Sequence, residues 1–383
     1  MLDKTNFIIT AEMLSNNEIY EMVKSVLESP DNALVHVNLA LENQGRVQSD
    51  ELAILLENPV ISLLKNGNEE RINVGLKATA KFKVNNTKNV ITDLINEDTN
   101  DETLKLAIKA LENHPIENSE VFEKLASNKN MQFELRVLAL HSFSKSNTND
   151  AIKNLELWLT EMSQNQLKIT ATNLSGSKEG STVLKQLYKG KKINLDAFDI
   201  SSAERVFKSD KGDVVGKEIL FGVKTRMKEE KLAYEAKFDK FMKIAEKNEG
   251  DPKEGESLFQ TCLMCHKVGT KGQDIAPALD GSGMRENEAL LTAILNPDAA
   301  LESSYAVYRI SKKDGSSTEG YLVKKDERGT TIAFMGGSEL FIQSSDIKSQ
   351  GFLGGRSFMI KGLIDHYSEK QVSDLLSYIR TLK

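Results

Sequence analysis

Cysteine is scarce in this sequence, with two cysteines among 383 residues. A structural zinc site takes four ligands, so this pair alone is two short. No apolar run approaches the length of a membrane-spanning helix. The formal net charge is −6, so nothing suggests the basic surface of a nucleic-acid-binding protein. With 39% hydrophobic and 28% charged residues, the composition is ordinary for globular domains. The length allows two or three of them.

Several catalytic motifs are also missing. The sequence has no nucleophile elbow, no phosphate-binding P-loop and no H-E-x-x-H zinc motif. The run Gly281-Ser282-Gly283 lacks the third glycine of a dinucleotide-binding fingerprint. These absences leave no sequence support for a hydrolase, a nucleotide-binding protein or a nicotinamide-dependent enzyme.

Both cysteines fall in one pentapeptide, Cys262-Leu263-Met264-Cys265-His266. C-x-x-C-H is the attachment signature of a c-type haem. Residues three apart on a helical turn share a face, so each thiol can bond one vinyl group of the porphyrin while His266 supplies the proximal iron ligand. A thioredoxin-like C-x-x-C would instead need a βαβ context. The pentapeptide therefore predicts one covalently bound haem c with His266 on the iron.

The N-terminal two thirds of the chain reads as a series of amphipathic helices. Their apolar residues recur at helical spacing between short polar turns. A long charged helix follows over 223–245, and Gly250 and Pro252 then interrupt the helical pattern. We therefore expect a helical domain over 1–247 and a second domain over 253–383. The helices predicted most clearly in the first domain are 17–27, 32–42, 51–64, 70–82, 102–111, 133–143 and 151–162.

A repeat underlies these helices. Small residues stand 32 positions apart at Gly75, Ala107, Ala139 and Ala171, each among apolar neighbours. A small residue at a fixed place in every second helix lets neighbouring helices approach closely, as a stacked helical solenoid requires. The pattern resembles HEAT-type repeats; an irregular helical domain with accidental spacing is the alternative.

The second domain combines helices with a small β insertion. Residues 255–259 predict a short helix before the haem motif, and 369–382 an amphipathic final helix that could cross it closely at Gly255. Between them, β-branched and aromatic runs predict an antiparallel sheet of three or four strands within about 305–350. The predicted strands are 305–310, 320–323, 330–334 and 339–342, and the hairpin signals are 314–315, 326–329 and 336–337.

From Gly255 to the end, the sequence resembles the cytochrome c domain at the C-terminus of large exported proteins of Planctomycetes, Verrucomicrobia and Bacteroidetes. The matching segments are 255–268 with the C-x-x-C-H motif, 272–279, 294–297, the β insertion and 357–359. The resemblance implies a mainly α, class I-like cytochrome c fold. In this family helical repeats often precede the haem domain, and a dehydrogenase-like module often lies further upstream.

The resemblance also implies a set of haem contacts. It assigns the carbonyl of Pro277 as acceptor for the His266 ring N–H, and Met359 as the sixth iron ligand. The family usually has proline after that methionine, whereas this chain has Ile360, which removes a fixed φ from the ligand loop. It also usually has Gly-Pro where this chain has Ala276-Pro277.

The residues themselves leave the sixth ligand open. Met284, in a glycine-rich loop, and His366 are the alternatives to Met359, whereas Met335 falls in a predicted strand or turn, where a packed thioether is expected. Arg285 and Arg356 are candidate partners for the haem propionates, because carboxylates at a partly dry edge favour a guanidinium.

These features predict a periplasmic electron-transfer protein with His/Met-ligated haem c. It would exchange electrons with a linked or partner dehydrogenase and with an acceptor protein. The N-terminus shows no signal peptide, so we expect this chain to be one piece of a longer exported polypeptide. The alternatives are a haem enzyme or gas sensor with an open sixth position, and a helical-repeat scaffold with an auxiliary haem.

Overall fold

The computed structural model describes residues 16–27, 33–42, 50–65, 68–96, 98–247, 249–313 and 316–383. The chain is mainly α and forms two compact units, Met1–Lys224 and Thr225–Lys383. Residues 1–15 at the N-terminus and the turn predicted at 314–315 lie outside the described residues. Within the described ranges, no helix combines the length and apolarity needed to span a membrane.

The first unit consists of helices, as the periodicity predicted. The single helix predicted over 51–64 is in fact two helices, which separate near Leu56. The second helix carries Pro59 in its first turn. Proline is tolerated there because its missing N–H would have no helical partner. The helices are α1 Asn17–Leu27, α2 Ala33–Glu42, α3 Asp50–Leu55, α4 Glu57–Lys65, α5 Glu69–Phe82, α6 Lys88–Leu94, α7 Asp101–Leu111, α8 Ser119–Ser127, α9 Phe133–Ser146, α10 Thr148–Leu159, α11 Gln164–Leu174, α12 Lys178–Lys189 and α13 Ile200–Ser209.

The four residues of the 32-residue spacing lie in α5, α7, α9 and α11, and all are buried. Side chains also join positions about one repeat apart. The hydroxyl of Thr103 donates to Asn73 at 2.8 Å, 30 residues away, and Lys145 lies 2.7 Å from Glu112, 33 residues away. These contacts follow the spacing of the repeat, and the HEAT-type class stays a prediction.

Helix α14, Val214–Lys247, contributes to two separate cores. Ile219 and Val223 are fully buried in the core of the first unit. Phe241 is 5% exposed and belongs to the core of the second unit, with Phe238 packed against it. The two compact units therefore divide within this helix, whereas the sequence placed the division in the linker that follows it.

Three further helices complete the second unit: α15 Pro252–Phe259, α16 Asn287–Leu295 and α17 Glu369–Ile379. Asp251 caps the N-terminus of α15: its side chain accepts the backbone N–H of Lys253. The predicted close crossing of α15 and α17 is confirmed: the rings of Phe259 and Tyr378 are 5.0 Å apart. A Cβ on Gly255 would lie 2.8 Å from the Cβ of Tyr378.

The strands of the second unit are β1 Lys267–Val268, β2 Lys271–Gly272, β3 Ala306–Lys312, β4 Ser317–Asp326, β5 Gly329–Ala333, β6 Glu339–Gln343 and β7 Ile347–Ser357. Strands β1 and β2 pair with each other, and the other five form the β insertion, an antiparallel sheet of order β6-β5-β4-β3-β7. Strand β7 was not predicted, because its sequence contains three glycines and few β-branched residues. Pairing with β3, at Tyr308 opposite Phe352, holds it extended.

Candidate haem-binding site

The C-x-x-C-H segment forms a single tight turn directly after α15. Residues Cys262–Met264 are a 3₁₀ turn, and the carbonyl of Cys262 accepts the backbone N–H groups of Cys265, at 3.2 Å, and His266, at 2.9 Å. All three residues line one cavity of about 1390 Å³, a volume that includes its opening to solvent. The turn thus presents both thiols and the imidazole to the same space.

The ring of His266 is oriented by Pro277. Its Nδ1 lies 2.7 Å from the Pro277 carbonyl oxygen, the contact that the resemblance implied. A carbonyl can only accept, so Nδ1 carries the proton and Nε2 keeps its lone pair for a metal. Burial lowers the pKa of His266, and the Pro277 bond raises it by less. The imidazole is therefore neutral at neutral pH, the form that ligates iron.

The two thiols have the properties of structural groups. Burial raises the pKa of Cys262 to about 11, with a smaller contribution from Cys265. Burial also raises the pKa of Cys265. Reactive redox cysteines have lowered pKa values that stabilise the thiolate, so the environment of this pair argues against a thioredoxin-like site.

Two methionines are found among the residues that line the cavity. Met359 and Met335 both line it, whereas Met284 is 80% exposed. Met284 and His366 are not among the described residues that line the cavity, and the His366 ring stacks edge-on against Tyr367 at 4.7 Å. The structure thus brings Met359, and not these two alternatives, to the cavity that holds His266.

The two arginines differ in position. Arg285 lines the cavity. Arg356 is outside the described lining, and its Nη1 lies 3.0 Å from Glu319 Oε2. Glu319 also accepts from Arg309 at 2.7 Å. The contact of Arg356 with the haem propionates remains a prediction. To make that contact, the Arg356 side chain would have to give up its ion pair with Glu319.

The rest of the lining is largely apolar and comes from every helix of the second unit except α14. Such a surface suits a porphyrin, whose ring is apolar and whose two carboxylates prefer an open edge. With two thiols, a neutral imidazole and a thioether at one cavity, the residues fit a haem c. Representative apolar residues are Phe259, Leu279, Leu290, Ile294, Leu375 and Ile379.

The sheet supplies a cover that sequence reasoning missed. The turn between β5 and β6 lies against the haem motif: the N–H of Gly336 donates to the Met264 carbonyl at 2.9 Å. From β4, Tyr321 lines the cavity at 5% exposure, and burial raises its pKa to about 12, with a contribution from Cys265. The sequence signalled the strand and the Gly-Gly turn, but no local pattern indicates which residues such a sheet faces.

Comparison with known proteins supports the same site. Residues 252–339 match the family model for cytochrome c, a segment that begins with α15 and ends at the start of β6. No curated protein matches the chain. The match supports a cytochrome c domain in the C-terminal part of this chain, and such domains bind haem and transfer electrons.

Proposed function

We propose that this chain is an extracytoplasmic electron carrier in which one haem c is attached at Cys262 and Cys265 and held by His266 and Met359. The observation that carries the proposal is that Met359 and His266 line one cavity, whereas Met284 and His366 do not. When bound, the haem supplies a one-electron couple at its iron. Two protein ligands leave no position for a substrate, so transfer of electrons follows as the activity.

Within this proposal each residue has a limited task. His266 is fixed by Pro277 and offers Nε2. Met359 offers a neutral thioether, which favours ferrous over ferric iron and raises the potential relative to a second histidine. The apolar lining excludes water and lowers the local dielectric, which strengthens the preference for ferrous iron and raises the potential further.

The optical spectrum of haem-loaded protein tests the ligand assignment. The chain is expressed with a haem-attachment machinery, and the ferric protein should show the weak long-wavelength sulfur-to-iron band of methionine ligation. Met359→Ala should remove this band and let ferrous protein bind carbon monoxide. Met284→Ala, at an exposed methionine, is the matched control and should leave both properties unchanged.

Met335 is the competing ligand, because it also lines the cavity. It is 42% exposed and lies in the β5–β6 turn that covers the haem motif, a place that suits a packed thioether better than an iron ligand. Met335→Ala should therefore keep the band. A spectrum that changes with Met335 and not with Met359 would reassign the sixth position, and an open iron in the unmutated protein would favour the haem enzyme or gas sensor.

The partners and location follow from the chemistry of the cofactor. Covalent haem attachment takes place outside the cytoplasmic membrane, so we place the mature chain in the periplasm. Its donor is a dehydrogenase, linked or separate, and its acceptor is another redox protein.

The HEAT-like helices of the first unit offer a docking surface for one of these two partners. Reduction of the haem by a candidate dehydrogenase in stopped-flow mixing tests this step, and its loss on removing residues 1–224 would assign docking to the helices.

A further inference from the structure

Asp298 is bonded to both ends of the segment that carries Met359. Its Oδ1 accepts the backbone N–H of Ser357 at 2.8 Å, and its Oδ2 lies 2.7 Å from Nζ of Lys361. The hydroxyl oxygen of Ser357 in turn accepts the backbone N–H of Met359 at 3.1 Å. One carboxylate therefore connects to positions two residues before and two residues after the methionine.

Asp298 is itself attached to the core of the domain. It follows α16, in which Leu291 is fully buried and Leu295 is 8% exposed. Pro297, directly before it, is buried and lines the cavity. The N–H of Ala299 closes a turn onto the carbonyl of Asn296 at 2.9 Å. The carboxylate thus links a rigid helix end to the Met359 segment.

The segment has a particular need for such a link. Ile360 follows Met359 and is 54% exposed, so neither a proline ring nor burial of this side chain restricts the chain at that point. Contacts that restrict the backbone around Met359 must come from elsewhere in the domain. Hydrogen bonds to a charged group are the stronger kind, and Asp298 makes them on both sides.

We propose that Asp298 is a positioning residue that keeps the Met359 segment in place over the iron. This inference rests on the proposed function, in which Met359 is the sixth ligand. Its consequence is kinetic as well as structural: without Asp298, the methionine leaves the iron more often. External ligands that bind only to the open iron then bind faster.

Cyanide binding to the ferric, haem-loaded full chain measures this opening. Losing a bond to a charged group changes a local equilibrium about tenfold, so Asp298→Ala should bind cyanide ~10-fold faster or more. Lys361→Ala removes one arm and should show a smaller increase. The matched control is Asp280→Ala, since Asp280 Oδ1 accepts the N–H of Gly269 at 2.9 Å, far along the chain from Met359.

The outcomes separate this inference from the ligand assignment. Should Met359→Ala keep the sulfur-to-iron band, both are wrong. Should Met359→Ala lose the band while Asp298→Ala binds cyanide at the unmutated rate, only the role of Asp298 is wrong. Equal acceleration in Asp280→Ala would also overturn it, because the effect would then be general loosening.

Conservative variants keep the test decisive if Asp298→Ala does not retain haem. Asp298→Asn keeps an oxygen for the Ser357 N–H and loses the charge opposite Lys361. Both Asp298→Asn and Lys361→Ala should bind cyanide faster than the unmutated protein. Their urea unfolding midpoints should equal that of the unmutated protein. A purely structural role for Asp298 would not produce this combination. Unchanged cyanide rates in both variants would overturn the proposal.

Discussion

The crossing of α15 and α17 gives the sharpest stability prediction, through Gly255→Ala. A Cβ at Gly255 would overlap the main-chain carbonyl of Asp374 and lie 2.8 Å from the Cβ of Tyr378. Both are close to the backbone of α17, so no side-chain rotation can relieve the overlap. The two helices must move apart, and Phe259 and Leu375, at 1% and 2% exposure, must move with them.

The size of the effect follows from two opposing contributions. Overpacking a well-packed core costs about 1–3 kcal/mol, and overlap with backbone places this site in the upper half of that range. Replacing glycine by alanine inside a helix returns about 1 kcal/mol through helix propensity. The net loss should be about 1–2 kcal/mol of the free energy of unfolding. With a denaturant slope of about 2 kcal/mol per molar urea, the midpoint should fall by ~0.5–1 M.

Urea unfolding of the haem-loaded full chain, followed by haem absorption, measures this change in the cytochrome c domain. Gly351→Ala is the matched control, because a Cβ there meets no heavy atom within 4 Å. It should change the free energy of unfolding by less than about 0.5 kcal/mol. A Gly255→Ala protein as stable as the unmutated one would show that the helices separate without cost, and the argument from close packing would be refuted.

Three further predictions concern attachment, domain extent and pH. Replacing both Cys262 and Cys265 by alanine should abolish covalent haem; haem mass retained after acid–acetone extraction of the double variant would contradict the site. A fragment of residues 225–383 should hold haem and unfold at a higher urea concentration than a fragment of residues 251–383. The shorter fragment loses the burial of Phe241, worth ~3 kcal/mol or more. Equal unfolding midpoints would show that this part of α14 adds no stability. Burial lowers the pKa of His141, so its contribution to stability is present above the unfolded value near 6.5 and is lost as pH falls below it. Unfolding from about pH 7.5 to 5, followed by circular dichroism, should show this loss, and His141→Gln should reduce it.

Much of the fold could be predicted because its signals are local. Helix periodicity, the Gly-Gly turn near Gly336 and the C-x-x-C-H spacing each depend on residues close together in the chain. The α15–α17 crossing was also accessible, because Gly255 and Phe259 stand four residues apart on one helix face and the last helix carries an apolar stripe. The mainly α class with a small antiparallel sheet is confirmed.

The remainder depends on contacts between distant residues. Strand β7 is extended because β3 pairs with it across about 40 residues, not because its own sequence favours a strand. The two compact units divide inside α14 because Val223 and Phe241 are buried in different cores. The helical periodicity of α14 is the same before and after this division, so the sequence does not mark it. Met284 and Met359 both follow glycine-containing loops, and only the path of the chain brings Met359 to the cavity.

The turn between β5 and β6 has a consequence for the order of assembly. Gly336 bonds to the Met264 carbonyl between the two cysteines, and Gly337 lies against Gln273. A chain made from its N-terminus contains the complete attachment motif before this turn exists, because β5 and β6 follow the motif in the sequence. The sheet therefore packs against the motif only after the motif itself has been made, and Gly336 then bonds to it. Under the proposed function, haem attachment at this motif would therefore belong to biosynthesis, before the sheet packs against it.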